Sequence, residues 1–289
     1  MDFYIKEFEQ HLLEEKKVSK NTYDGYMRDI NGFLSYKSFD GIPASSDVEN
    51  YEMYLEKHGK SRSTISRVNA SLRCFYNFLR NKKLIDDLPD ASLKIKKSSA
   101  KIPDILTSEE IEALLSAPDT SDYKGMRDKA ILETFYATGI KASELISLTV
   151  SDVNIKMGYI RLKNGDKERI LPMYARAVRA LSEYIKYARG YIATDGCEAL
   201  FLNMNGSALT RQGLWKIIKS YAEKTGIEKT ITPHIIRHSF AAHLLENGAG
   251  LDDIKEIMGY SDISSTRLYS QIFKSKYTKA YKKFHPLAR

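Results

Sequence analysis

The chain holds only two cysteines, Cys74 and Cys197, in 289 residues. That is too few for a disulfide framework or a thiolate zinc site. It has one tryptophan and seven prolines, and no apolar run reaches the roughly 18 residues that would suggest a membrane span. The charged, amphipathic opening MDFYIKEFEQ does not read as a signal peptide. A soluble protein in a reducing cytoplasm is the expectation, with no membrane association. Carboxylates show no cluster suited to a metal, so neither metal nor cofactor is expected.

What is present suits folded domains: 43% hydrophobic residues and 28% charged ones. The length favours two domains over one. The net charge is +8. Residues 1–97 carry 17 basic against 15 acidic side chains, and the rest carries 28 against 22. That excess is compatible with a polyanionic partner and does not by itself identify one.

Residues 232–269, TPHIIRHSFAAHLLENGAGLDDIKEIMGYSDISSTRLY, concentrate the chemistry. Thr232-Pro233 reads as an N-cap followed by a proline in the first turn. His234 and Arg237 lie three apart, so they share one helix face. Ile235, Ile236, Phe240, Leu244 and Leu245 are the expected buried side, with Gly248 as C-cap. A second short helix, 251–258, stops at Gly259, just before Tyr260. A third begins near Ser264 and carries Tyr269. Arginine offers a permanently charged fork to a phosphate, and histidine a donor or a proton. A tyrosine can be a covalent nucleophile if a cationic site and a proton acceptor assist it.

HxxRH, an apolar helix, a Gly-Ala turn, a GHS-like turn and a tyrosine nine residues later resemble the C-terminal signature of the tyrosine recombinases (phage integrase family). The resemblance is to the Xer branch, the archaeal type included. It implies a two-domain DNA clamp: an N-terminal helical bundle, then a mainly α catalytic domain with a small β-sheet (α+β). It also implies site-specific cutting and rejoining of double-stranded DNA by a homo-oligomer, dimer to tetramer on DNA, joined through a C-terminal tail. Chromosome dimer resolution is the role it suggests.

The rest of the chain is expected to divide into residues 1–97 (a helical, DNA-binding core-binding domain), a linker at 98–106 and a catalytic domain at 107–289. Two helical patterns open the first domain, with Phe3, Phe8, Leu12 and Leu13 apolar in the first. Ser45-Ser46-Asp47 starts a third helix, and residues 60–81 form a fourth with the stripe Ile65, Val68, Leu72, Phe75, Phe78 and Leu79. Lys60, Arg62, Arg67, Arg73 and Arg80 lie mainly off that stripe. Lys60, Arg62, Ser63, Thr64, Arg67 and Arg73 are candidate phosphate contacts, which position DNA without reading it. Lys20, Asn21 and Thr22 join them by resemblance to the family's core-binding domain.

In the second domain, helices are expected at 107–117 and 123–138, with Gly139 as C-cap. Where the family reads GLR-x-SEL, with the first catalytic arginine, this chain has Lys141, and Glu144 matches the acidic residue expected to hold that cation. Lysine keeps the charge and loses the fork. Losing one preorganised donor costs on the order of 3 kcal/mol, about a hundredfold in rate. Residues 155–173 read as a hairpin turning at Asn164-Gly165. It resembles the family hairpin GKGxKER, which presents a catalytic lysine: Lys163 is the candidate, Lys167 the runner-up. Residues 175–189 read as a helix. In the helix after Thr210, Trp215, Ile218 and Tyr221 are expected to face inward, while Arg211, Gln212 and Lys216 stand at the exposed start, where they can meet base edges or phosphates.

By this resemblance the site combines Lys141, Lys163, His234, Arg237, Tyr260 and Tyr269, with Tyr260 in the place of the family's His or Trp. His238 and His243 are expected to support the fold. Two alternatives stay open at this point: a DNA-binding protein that no longer cleaves, and a type IB topoisomerase with the same chemistry and no strand exchange.

Overall fold

The structure is a computed structural model that describes residues 2–39, 41–88, 104–164 and 167–260. Its chain divides into two compact units, Met1–Lys101 and Ile102–Arg289.

The first unit is helical: α1 (Asp2–Gln10), α2 (Lys20–Leu34), α3 (Ser45–Lys57) and α4 (Arg62–Asn81). Ser19 and Ser61 cap α2 and α4, each accepting from a backbone N–H three residues on. The six stripe residues of α4 are all buried, and they pack with Phe8, Leu12, Ile30, Phe33 and Val48 into one core. The first-helix pattern is only half right. Phe8 and Leu12 are buried, but Phe3 and Leu13 are 67% and 53% exposed. A π-helical turn at His11–Glu15 follows α1, so the regular α-helical spacing does not carry through Leu13.

The second unit contains α5 (Ser108–Ser116), α6 (Tyr123–Thr138), α7 (Ala142–Ser147), β1 (Val153–Asn154), β2 (Tyr159–Asn164), β3 (Lys167–Pro172), α8 (Ala175–Glu183), α9 (Gly190–Ile192), α10 (Arg211–Lys224), α11 (Pro233–Glu246) and α12 (Leu251–Met258). A π-helical segment, Tyr184–Arg189, joins α8 to α9. The three strands form an antiparallel sheet in sequence order. Ile160, Leu162 and Leu171 on its inner face are buried in the core, whereas Ile170 on the other face is 58% exposed. Gly139 caps α6 in the left-handed region, where a Cβ would lie 2.2 Å from the Phe240 ring. Asn247, not Gly248, is the C-cap of α11; Gly248 follows with φ +94°.

Leu106 is fully buried. Its N–H donates to Ser239 Oγ and its carbonyl faces His243 Nε2 at 2.9 Å. His243 Nδ1 also meets Tyr136 Oη at 2.8 Å. This histidine therefore ties the start of the second unit to α6 and α11, a structural duty. Among the described residues no helix is long and apolar enough to cross a membrane.

Candidate active site and nucleic-acid interface

Three segments converge on the site, two of them set by a glycine that ends a helix. Gly139 ends α6, so Ile140 and Lys141 turn into α7 with Lys141 at its N-cap. Gly259 ends α12 with φ +62° and hands the chain to Tyr260. The β2–β3 hairpin brings Lys163 and Arg169 beside them. These parts line one cavity of about 790 Å³, which Lys141, Glu144, Lys163, Glu168, Arg169, Lys255, Gly259 and Tyr260 share with Ser143, Ser147, Leu162, Asp252 and Glu256.

Arg237 is 5% exposed, and neither it nor His234 is among the residues that line the cavity. Its two Nη groups donate to the carbonyls of Gly139 and Met258, and its guanidinium sits 5.2 Å from the Tyr260 ring centroid. One fork thus spans the α6–α7 turn and the end of α12. Each Nη keeps a second N–H beyond those bonds. His234 is exposed on the first turn of α11, whose N-cap Thr232 accepts from Ile235 N–H. Burial holds the His238 imidazole below the usual histidine range, and the neighbouring His234 and Arg237 charges push the same way.

Glu144 organises the rim. Its Oε2 accepts from the Lys141 backbone N–H at 2.9 Å and from Arg169 Nη2 at 2.7 Å. The Lys141 ammonium stands farther off, 3.8 Å from Oε1. The expected pairing of Glu144 with Lys141 is present in this loose form, and Arg169 makes the tighter contact. Sequence reasoning passed over Arg169. Its signal was strand alternation: it shares the inner face of the sheet with Leu162 and Leu171, where a charged residue needs a partner.

Lys163 pairs in register with Glu168 and its side chain is exposed at the cavity. Lys167 pairs with Asn164, and its side chain lies outside the described residues. Tyr269 and the tail also lie outside them.

The basic candidates fall at three helix starts. Lys20, Asn21 and Thr22 open α2, and Arg62, Ser63 and Thr64 open α4 after exposed Lys60. Arg211, Gln212 and Lys216 are exposed at the start of α10. Arg67 forms an ion pair with buried Asp29 across α2 and α4, while its own side chain stays 46% exposed. Arg73 is half-buried, which makes it a weaker phosphate candidate than Arg62. Trp215 corrects the expectation for α10. It is 42% exposed, with Lys219 Nζ 5.3 Å from its ring, while Leu214, Ile218 and Tyr221 form the buried face.

The sequence matches the family described as "Phage integrase family" over residues 104–276 and "Phage integrase, N-terminal SAM-like domain" over residues 5–83. It is 39% identical to the tyrosine recombinase XerD of Listeria innocua, covering 100% of both chains. It is also 39% identical to XerD of Staphylococcus epidermidis over the full length of both. Among solved structures, XerH site-specific recombinase bound to a palindromic difH substrate shares the fold at TM-score 0.75 and 23% identity, covering 91% of this chain and 78% of that one. XerA recombinase aligns at TM-score 0.56 and 26% identity over 98% of both chains. The full-length relatives are recombinases, which supports strand exchange over topoisomerase action. By these matches the chain belongs to the phage integrase family and is a site-specific tyrosine recombinase of the Xer type.

Proposed function

We propose that this recombinase cuts one strand of a duplex DNA site by attack of Tyr269 Oη on the scissile phosphorus. The new bond is a 3′-phosphotyrosyl ester and the bond that breaks is P–O5′, which leaves a 5′-hydroxyl. The ester conserves the bond energy, so a second 5′-hydroxyl can reverse the step without a nucleotide cofactor. Lys141 and Arg237 hold the phosphate and stabilise charge on its equatorial oxygens. Lys163 donates the proton to the departing 5′ oxygen. His234 takes the tyrosine proton or holds a phosphate oxygen, and the Tyr260 hydroxyl donates one hydrogen bond to it. The carrying observation is the convergence of Lys141, Lys163 and Tyr260 on one cavity, backed by Arg237 across both flanking turns.

Helix starts at Lys20–Thr22, Lys60–Thr64 and Arg211–Lys216 meet the DNA backbone and base edges. The protein assembles on DNA through residues after Tyr269, works in the cytoplasm and serves chromosome dimer resolution.

A nicked suicide substrate, which traps the covalent intermediate, tests the chemistry. The native chain should form an adduct that Tyr269→Phe abolishes. Lys141→Arg should restore the fork and raise the adduct rate on the order of tenfold or more. An arginine variant that is equal or slower would remove Lys141 from the phosphate.

A further inference from the structure

Arg169 has no role in the mechanism above, yet it lines the same cavity as Lys141. Its Nη2 bonds Glu144 Oε2 at 2.7 Å. Its Nη1 fills the space over Gly259, where a Cβ would lie 1.6 Å away. Its buried Nε–H has no hydrogen-bond partner among the described residues. The side chain is 21% exposed and lines the cavity. Glu144 is thus engaged twice at Oε2, by Arg169 and by the Lys141 N–H, and the Lys141 ammonium keeps only a 3.8 Å contact with it.

We propose that Arg169 is a positioning residue for Lys141: by occupying the Glu144 carboxylate it keeps the lysine ammonium available to a phosphate in the cavity. The physical need is specific to this chain. An arginine at position 141 could share a carboxylate and still offer other N–H groups to a phosphate, whereas an ammonium is a compact point charge that one close carboxylate largely neutralises. Arg169 takes up one oxygen of that carboxylate and so weakens the competitor. By packing on Gly259 it also steadies the turn that presents Tyr260, next to the Met258 carbonyl that Arg237 holds. The inference rests on the proposed phosphate-binding role of Lys141, and the test separates the two.

The first measurement uses the free full-length chain and involves no cleavage. Lys141 is labelled with a succinimidyl ester and its modification rate read by mass spectrometry. In Arg169→Met the freed carboxylate should draw in the ammonium and slow Lys141 labelling several-fold. Adding Glu144→Gln, which keeps an acceptor for the backbone N–H and drops the charge, should bring labelling back. The second measurement is adduct formation on the suicide substrate: Arg169→Met should be at least tenfold slower, with DNA affinity within about twofold of native. The Arg169→Met/Glu144→Gln pair should recover most of that rate. A purely structural arginine predicts the reverse, a double variant slower than the single one. Lys141 labelling indifferent to Arg169→Met, or a double variant no faster than the single, overturns the proposal. Labelling that behaves as expected in a chain whose Lys141→Arg form is no faster would leave Arg169 as the keeper of Lys141 and overturn the phosphate reading alone.

Discussion

At Gly259 an added methyl group meets a cation. The residue sits at φ +62°, and its missing Cβ is the space that Arg169 Nη1 occupies. Two costs separate cleanly by comparison with Gly226, which has φ +67° and nothing within 4 Å of a built Cβ. Left-handed strain alone is worth about 1–2 kcal/mol. Gly226→Ala should therefore lose about that much in urea unfolding and leave adduct formation unchanged. Gly259→Ala should lose more and slow the adduct on the order of tenfold, because the guanidinium must leave both the turn and Glu144. Equal unfolding losses with unaltered cleavage in both variants would show that the contact between Gly259 and Arg169 carries nothing.

Among the elements, α6 and α8 are clasped by one buried carboxylate. Glu133 is fully buried on α6; Tyr174 Oη donates to it at 2.5 Å, and Lys129 Nζ and Arg176 Nε each stand 2.8 Å away. Burial, then the Glu133 charge, raises the Tyr174 phenol above its ordinary value, so it remains the donor across the working pH range. Removing the carboxylate takes a partner from three donors, but Tyr174 and Arg176 reach the surface at 38% and 41% exposure and can turn to water, so Glu133→Ala should cost about 2–3 kcal/mol in urea unfolding. Arg176 also pairs with Glu112, whose side chain is 58% exposed, and Glu112→Ala should cost no more than about 1 kcal/mol. Similar losses from both would mean the clasp is no stronger than a surface pair. This network also shows what sequence could and could not supply. Helix positions were legible, because caps and apolar spacing are local: Thr210, Thr232 and Gly139 stand where the pattern put them. The partner of a charge was not. Arg67 pairs with Asp29 on another helix, a contact that no local pattern announces. Trp215 looked inward because it is large and apolar; the stripe 214–218–221 leaves it one step off the buried face. Arg169 was invisible until strand register set it against Glu144.

For the whole molecule, the question is how two units with separate cores would act on a DNA site with two binding arms, which the proposed dimer needs. Each unit carries basic side chains at exposed helix starts, and in the proposed reading these hold one arm by a sequence-independent attraction that needs no second protomer. Something else must couple the arms. After Tyr269 the sequence continues with Tyr277, Ala280, Tyr281 and Phe284 among five lysines, an apolar stripe with the period of a helix. A stripe of that kind is stable when buried against a groove, and a groove on a neighbouring protomer would make assembly cooperative. Deleting residues 274–289 should leave binding to a single arm within about twofold of native and leave the melting temperature of the rest nearly unchanged. On a two-arm site the Hill coefficient of binding should fall toward one. Gel shifts with one- and two-arm duplexes measure both quantities, and cooperativity that survives the deletion would place the coupling between protomers somewhere other than the tail.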